Sequence, residues 1–538
     1  MTGYIVDIFV WLLLAVAVLA LLARRLHIPY PIFFVIGGLL IGLVPGLPRV
    51  RLDPDLVFLF FLPPLLFPAA LFTSWRDFRA NLRPISLLAI GLVLFTTVTV
   101  AWLAFYFFHL PLAVGFVLGA IISPPDAIAA TAIAERLSVP RRIVTILEGE
   151  SLVNDATALV AYRFAVAAVA TGTFSLSRAG GEFLFVGFGG IVVGLAVGWL
   201  VARFHRRVPD PPIEITFSLL IPFATYLSAE RLGVSGVLAV VTAGLYLGRR
   251  GPEIISAQTR LQAVPVWEMV EFLLNGFVFI LIGLQLPEVS RAVFDHRDYS
   301  IGQLVWYALV ISLAVVLIRI LWVFPASYLP RLLFKSIRKK DPYPSWRHVT
   351  IVAWTGMRGV VSLAAALALP LTIQNGTPFP HRDLVLFLTF IVILATLVAQ
   401  GLSLPMLIRR LGIKDDGSAA KEEREARLKA NQAALTRLQQ IPEHNPAKAD
   451  AKRRLSIEYE DRIRQLEAAD PGNANTPRHL FSSEYEHLSY ETLMEERKTI
   501  LQLRNRGVIN DEVLRHIQRD IDLAEARLRH GKGEHTED

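Results

Sequence analysis

Over 538 positions the chain is 54% hydrophobic and only 19% charged, with a mean hydropathy of +0.48, the balance of a protein whose main solvent is lipid. The net charge is +8, but the basic residues fall between apolar runs and form no clustered stripe, which argues against a nucleic-acid binder. The absence of cysteine excludes disulfides, thiolate catalysis, iron–sulfur clusters and cysteine-based zinc sites.

Charge divides the chain in two. Residues 412–538 hold 22 of the 54 Lys and Arg and 25 of the 46 Asp and Glu, whereas residues 1–411 carry 32 basic against 21 acidic groups. The expected organisation is therefore an apolar transmembrane domain over 1–411 and a soluble, charge-balanced helical tail over 412–538. A span needs about 20 mostly apolar residues. Thirteen segments are candidates, centred near Leu13, Ile41, Leu62, Leu94, Leu118, Leu159, Val193, Leu220, Leu238, Phe277, Ala314, Val361 and Ile393. The first, Ile5 to Ala23, lacks a basic leader and a small-residue cleavage site, so it reads as a span and not as a signal peptide. Proline weakens the segments around Leu62 and Leu118. Basic residues concentrate in alternate loops, roughly 22 against 7, which places the N-terminus outside and the tail in the cytoplasm. In the tail, Lys421 to Glu467 is rich in helix formers with i,i+4 pairs such as Glu423–Arg427. A break is expected over Asp470–Pro477, followed by two helices divided around Gly507. The second carries an apolar stripe of Val513, Leu514, Ile517 and Ile521.

Ionisable groups at membrane depth cost about 2.5–3.5 kcal/mol each unless paired or hydrated, which makes them functional candidates. The deep ones are Asp126, Glu148, Glu150, Asp155, Arg163, Glu268, Glu271, Arg319 and Arg358. In the fifth segment Pro124 and Pro125 remove two backbone donors, so a helix should break there. Asp126 then sits at the positive end of a half-helix. In the sixth, Ser151, Asn154 and Asp155 fall on one helical face at i, i+3 and i+4. A carboxylate beside hydroxyl and amide oxygens suits a small alkali cation, and the same carboxylate can hold a proton in its place. The twelfth segment carries Arg358 between Gly356 and Gly359, a second weak point seven segments after the first. That offset is expected of two inverted repeats whose broken helices cross at the midplane. Arg358 requires an acid, and Glu150 is the best-placed candidate. Arg319 is a further mid-span cation that neutralises an acid or stiffens the crossing. Arg163 and Glu148, nearer the span ends, are expected to snorkel or face a loop.

Ser-Pro-Pro-Asp126, Gly-Glu-Ser-Leu-Val-Asn-Asp155 and Gly-Met-Arg-Gly-Val-Val-Ser362 together resemble the bacterial sodium/proton antiporters of the monovalent cation:proton antiporter-1 family. The resemblance extends over most of residues 1–411. It implies an all-α polytopic fold of about thirteen transmembrane helices, with a dimerisation domain and a mobile core working by alternating access. It implies that Asp155 is the shared carboxylate for Na⁺ and H⁺, with Ser151 and Pro125 lending oxygens, Asn154 and Asp126 in support, and a structural Glu150–Arg358 ion pair. The Asn-Asp pairing further implies electroneutral exchange in a homodimer of the bacterial inner membrane, without a resident cofactor. Two residues depart from the family pattern. Pro125 stands where many relatives have Thr or Val, so any ligand there is a backbone carbonyl or water, and Pro68 follows Leu62-Pro-Pro-Leu-Leu-Phe67 where many relatives carry an acid. Three other readings compete: a K⁺/H⁺ exchanger, an intramembrane aspartyl protease built on Asp126 and Asp155, and a non-transporting sensor that signals through the tail.

Overall fold

The structure, a computed structural model, describes residues 2–26, 28–44, 57–172, 176–205, 210–295, 299–373, 376–415, 417–442, 446–468 and 480–506, with short pieces at 514, 517–518 and 520–525. Regular structure among these residues is helical, apart from one isolated bridge between Thr372 and Pro378. The chain forms two compact units, residues 1–415 and 416–538.

In the first unit the helices are α1 (Thr2–Leu26), α2 (Tyr30–Gly42), α3 (Leu62–Phe72), α4 (Trp75–Ala80) and α5 (Leu82–Phe108). Then come α6 (Leu112–Ile122), α7 (Ile128–Arg136), α8 (Arg141–Thr171), α9 (Leu176–His205), α10 (Pro211–Arg231) and α11 (Gly236–Ile254). The unit closes with α12 (Ala257–Asp295), α13 (Ile301–Leu333), α14 (Lys335–Lys340), α15 (Trp346–Trp354), α16 (Val360–Leu367) and α17 (Arg382–Leu411). Helix lies at or beside each of the thirteen expected positions. Among the described residues, eight helices are long and apolar enough to cross a membrane, and three more apolar helices are shorter. The shortfall has local causes. The fifth and twelfth segments are each split into two half-helices, and α2 ends at Gly42, so the centre expected near Ile41 falls at its end.

Lipid as the outer solvent explains the surface. Trp11, Phe185, Phe188, Leu200, Leu309 and Leu321 are all exposed, a distribution that water would penalise by about 25 cal/mol per Å² of apolar area. Between helices the packing relies on small residues, as expected where lipid gives no hydrophobic drive to associate. A Cβ on Gly38 of α2 would overlap the Ile280 carbonyl of α12, and one on Gly283 would overlap the Val35 carbonyl. Irregular backbone is compensated in the same way. A π-helical turn over Leu87–Leu92 interrupts α5, and the Trp322 indole of α13 donates to the Leu87 carbonyl at 2.9 Å.

One carboxylate ties several elements of this unit together. Asp341 accepts from Arg83 of α5 at 2.5 Å, Arg142 of α8 at 2.8 Å and Arg331 of α13 at 2.6 Å.

The second unit contains α18 (Ser418–Gln440), α19 (Pro446–Ala468) and α20 (Leu480–Asn505). Helices α18 and α19 pair as a hairpin, with Lys452 donating to the Ile441 carbonyl at 3.1 Å. The expected Glu423–Arg427 pair is present at 2.5 Å. Leu514 and Ile521 of the expected stripe bury against Ile500, and Arg497 bonds Glu525 at 2.8 Å and also Asp522. The hydrogen bond from Arg497 to Glu525 raises the guanidinium above its ordinary pKa. The break expected over Asp470–Pro477, the division at Gly507 and Val513 lie outside the described residues.

A candidate cation site at the crossing of two broken helices

Both interruptions form where proline and glycine place them. Helix α6 stops at Ile122, residues 123–127 are non-helical, and α7 begins at Ile128; α15 stops at Trp354, residues 355–359 are non-helical, and α16 begins at Val360. The two breaks touch, with the Asp126 N–H donating to the Met357 carbonyl at 2.6 Å. A crossing of this kind leaves four half-helix ends inside the protein, each with unsatisfied backbone groups and a partial charge.

Asp126 and Arg358 neutralise these ends in opposite senses. The Asp126 carboxylate accepts the Ile128 N–H at 2.9 Å and also the Val360 N–H, so one acid caps the positive ends of α7 and α16. Gly359 makes this possible: a Cβ there would overlap the Asp126 carboxylate. Arg358 does the reverse. Its Nε donates to the Ile122 carbonyl at the end of α6 at 3.0 Å, and its Nη1 donates to the Gly356 carbonyl. Its backbone N–H is held by Thr396 Oγ1 of α17 at 3.2 Å.

This use of Arg358 corrects the expected ion pair. The guanidinium that reaches Glu150 is that of Arg319 on α13, through a bidentate contact at 2.6 and 2.8 Å, with side chains 1% and 2% exposed. Arg319 Nε also donates to the Val352 carbonyl on α15 at 3.1 Å. Arg358 is spent on helix-end carbonyls, and Arg319 is the cation left to compensate the buried acid. Arg163 pairs with Glu230 at 2.9 Å on an exposed part of α8.

The predicted face of α8 meets the first break. Asn154 Nδ2 donates to the Pro125 carbonyl at 2.8 Å, and Ser151 Oγ accepts the Ala127 N–H at 3.4 Å. Asn154 is fully buried and acts on the backbone of the break. Asp155, one residue on, is buried and lines a cavity of about 570 Å³ together with Ser151, Pro125 and Asp126. Leu62, Leu65, Leu66 and Pro68 of α3 line the same cavity. Along α8 the wall runs from Glu148 to Asp155, and no described residue beyond Asp155 on that helix lines it. Glu268, Glu271 and Asn275 of α12 and Ser362 of α16 line it as well. The sequence marked the two glutamates as deep charges without placing them, and Ser362 only as part of a motif.

Crossed half-helices with capped ends, beside a buried carboxylate and a hydroxyl that line one cavity, are the arrangement expected of a membrane ion transporter. Residues 12–410 match the family described as "Sodium/hydrogen exchanger, transmembrane". The chain is 37% identical over 526 residues to an uncharacterised Na⁺/H⁺ exchanger of Mycobacterium tuberculosis, covering 97% of this chain and 96% of that protein. It is also 37% identical over 420 residues to a sodium, potassium, lithium and rubidium/H⁺ antiporter of Bacillus subtilis, covering 74% of this chain and 61% of that one. Its fold is similar to the sodium proton antiporter of Methanocaldococcus jannaschii, with a TM-score of 0.60 at 21% identity over 76% of this chain and 99% of that one. The chain belongs to the sodium/hydrogen exchanger family.

Proposed function

We propose that this protein is a secondary active antiporter that exchanges Na⁺ or Li⁺ for H⁺ by alternating access and so serves pH homeostasis. The observation that carries the reading is Asp155, a buried carboxylate facing a cavity beside Ser151 at the crossing of the broken helices. One carboxylate holds either a proton or a cation, and that exclusion is the physical basis of coupled exchange. The neighbour of Asp155 is Asn154, which carries no charge, and Asp126 is engaged by backbone amides. A single exchanging carboxylate gives one proton for one cation, hence electroneutral transport. The cations and protons are cargo, and no resident cofactor takes part.

The loop charges favour a bacterial plasma-membrane protein with its N-terminus outside and its tail in the cytoplasm. In that orientation the cavity, which reaches Asp155 from the Glu148 side of α8, faces the cytoplasm. A homodimer follows from the family resemblance. The Bacillus relative named for four alkali cations favours a second reading, in which K⁺ is also carried. Engagement of Asp126 by two amides argues against a proton-sharing aspartyl protease pair.

The test is reconstitution in liposomes, with internal pH followed as Na⁺, Li⁺ or K⁺ is added, beside the Asp155→Asn variant. Cation-driven pH change lost in the variant is the expected result. The apparent KM for the cation should rise as pH falls, by up to about tenfold per pH unit once Asp155 is largely protonated, because the proton occupies the cation's ligand. Absence of flux with every cation would remove this reading and bring the sensor reading forward, whereas a KM that ignores pH would remove the competition of proton and cation at Asp155.

A further inference from the structure

We infer that Ser362 is a further cation ligand, the oxygen with which the second broken helix enters the ion site and tunes its selectivity. The inference deepens the exchanger reading and rests on it. Ser362 lies two residues beyond Val360, whose amide caps on Asp126, and three beyond Gly359, which packs against the same carboxylate. It lines the cavity shared by Asp155, Ser151 and Pro125, although the residue is only 1% exposed. Its hydroxyl has no hydrogen-bond partner among the described residues. In membrane proteins a serine on a helix usually returns its proton to a carbonyl one turn back, as Thr396 does to the Val392 carbonyl at 2.7 Å. Ser362 does not, and its hydroxyl is a buried group without a protein partner in a residue that lines the cavity.

Such an oxygen extends a donor set otherwise held largely by α8 and α12. Pro125 contributes only a carbonyl, and that carbonyl already accepts from Asn154 at 2.8 Å. The Asp126 oxygens serve two half-helix amides. Of the oxygens nearest the break, the Asp155 carboxylate and the Ser151 hydroxyl are both carried by α8, and Glu268, Glu271 and Asn275 of α12 line the same cavity. A hard cation that has shed part of its hydration shell takes further oxygens, and fixed hydroxyls discriminate between cation sizes better than water does. Ser362 supplies one from a different element, so the bound ion bridges α8 to the half-helix α16.

Because the hydroxyl has no protein partner, Ser362→Ala removes it without orphaning a donor or acceptor, and the protein should fold and reach the membrane as the parent does. In proteoliposomes of the full-length protein, the apparent KM for Na⁺ and Li⁺ should rise on the order of tenfold in Ser362→Ala, the scale of one charge-assisted contact. The KM for K⁺ should change less. Ser362→Thr keeps the oxygen and should restore most of the affinity. Unchanged KM ratios in Ser362→Ala, alongside a working parent and an inactive Asp155→Asn, would overturn the inference and leave the exchanger reading intact. Failure of the parent itself to exchange any cation would overturn both.

Discussion

Glu150 and Arg319 provide the sharpest quantitative test of this core. Their side chains are 2% and 1% exposed and share two contacts of 2.6 and 2.8 Å. Replacing Glu150 by Ala leaves the Arg319 guanidinium buried without its acid, a perturbation of about 3–5 kcal/mol. That lowers the ratio of folded to unfolded protein by roughly two to three and a half orders of magnitude. Replacing both residues, Glu150→Leu with Arg319→Met, removes the stranded charge. The double variant should recover most of the loss, short by about 1 kcal/mol because the Val352 carbonyl loses the Arg319 Nε donor. Thermal unfolding of the full-length protein in detergent measures the cycle, and liposome exchange measures selectivity on the same samples. A parallel cycle between Glu150 and Arg358 should show weaker coupling, since Arg358 is held by the Ile122 and Gly356 carbonyls. Stronger coupling to Arg358 would refute the assignment. So would a Glu150→Ala protein as stable as the parent with altered Li⁺ over Na⁺ preference, which would make Glu150 a ligand.

Gly359→Ala places a methyl group on the Asp126 carboxylate; separating Asp126 from the two half-helix ends should destabilise the protein by about 1–3 kcal/mol and strongly reduce exchange, whereas parental stability and flux would show that the two ends do not need a common cap. Asp341→Asn leaves three guanidiniums without their shared acid. Arg331 is 4% exposed but Arg83 and Arg142 are 28% and 47% exposed, so the loss of stability should fall between the ~1 kcal/mol of an open pair and the 3–5 kcal/mol of a buried one. It should shrink at high salt in a thermal-unfolding series, and no salt dependence would argue that the arginines find other partners.

What the sequence determined by itself is local. Pro124 and Pro125 remove amides whatever surrounds them, so the break before Asp126 is legible from two residues. The i, i+3, i+4 spacing of Ser151, Asn154 and Asp155 puts them on one helical face in any fold that keeps α8 helical. Composition alone separated the lipid-facing unit from the polar tail. Tertiary structure decided the partners. Glu150 is 169 residues from Arg319 and 208 from Arg358, and nothing in spacing distinguishes the two cations. The choice depends on which guanidinium is already occupied by helix-end carbonyls, and those carbonyls exist only once both half-helices are packed. The same holds for Asp126, whose second capped amide, that of Val360, belongs to the other broken helix, and for Ser362, whose unpartnered hydroxyl matters only because the fold brings its residue to Asp155's cavity. Periodicity and breaking residues act within a few turns of chain; the compensation of buried charge is settled by what the folded core brings within 3 Å.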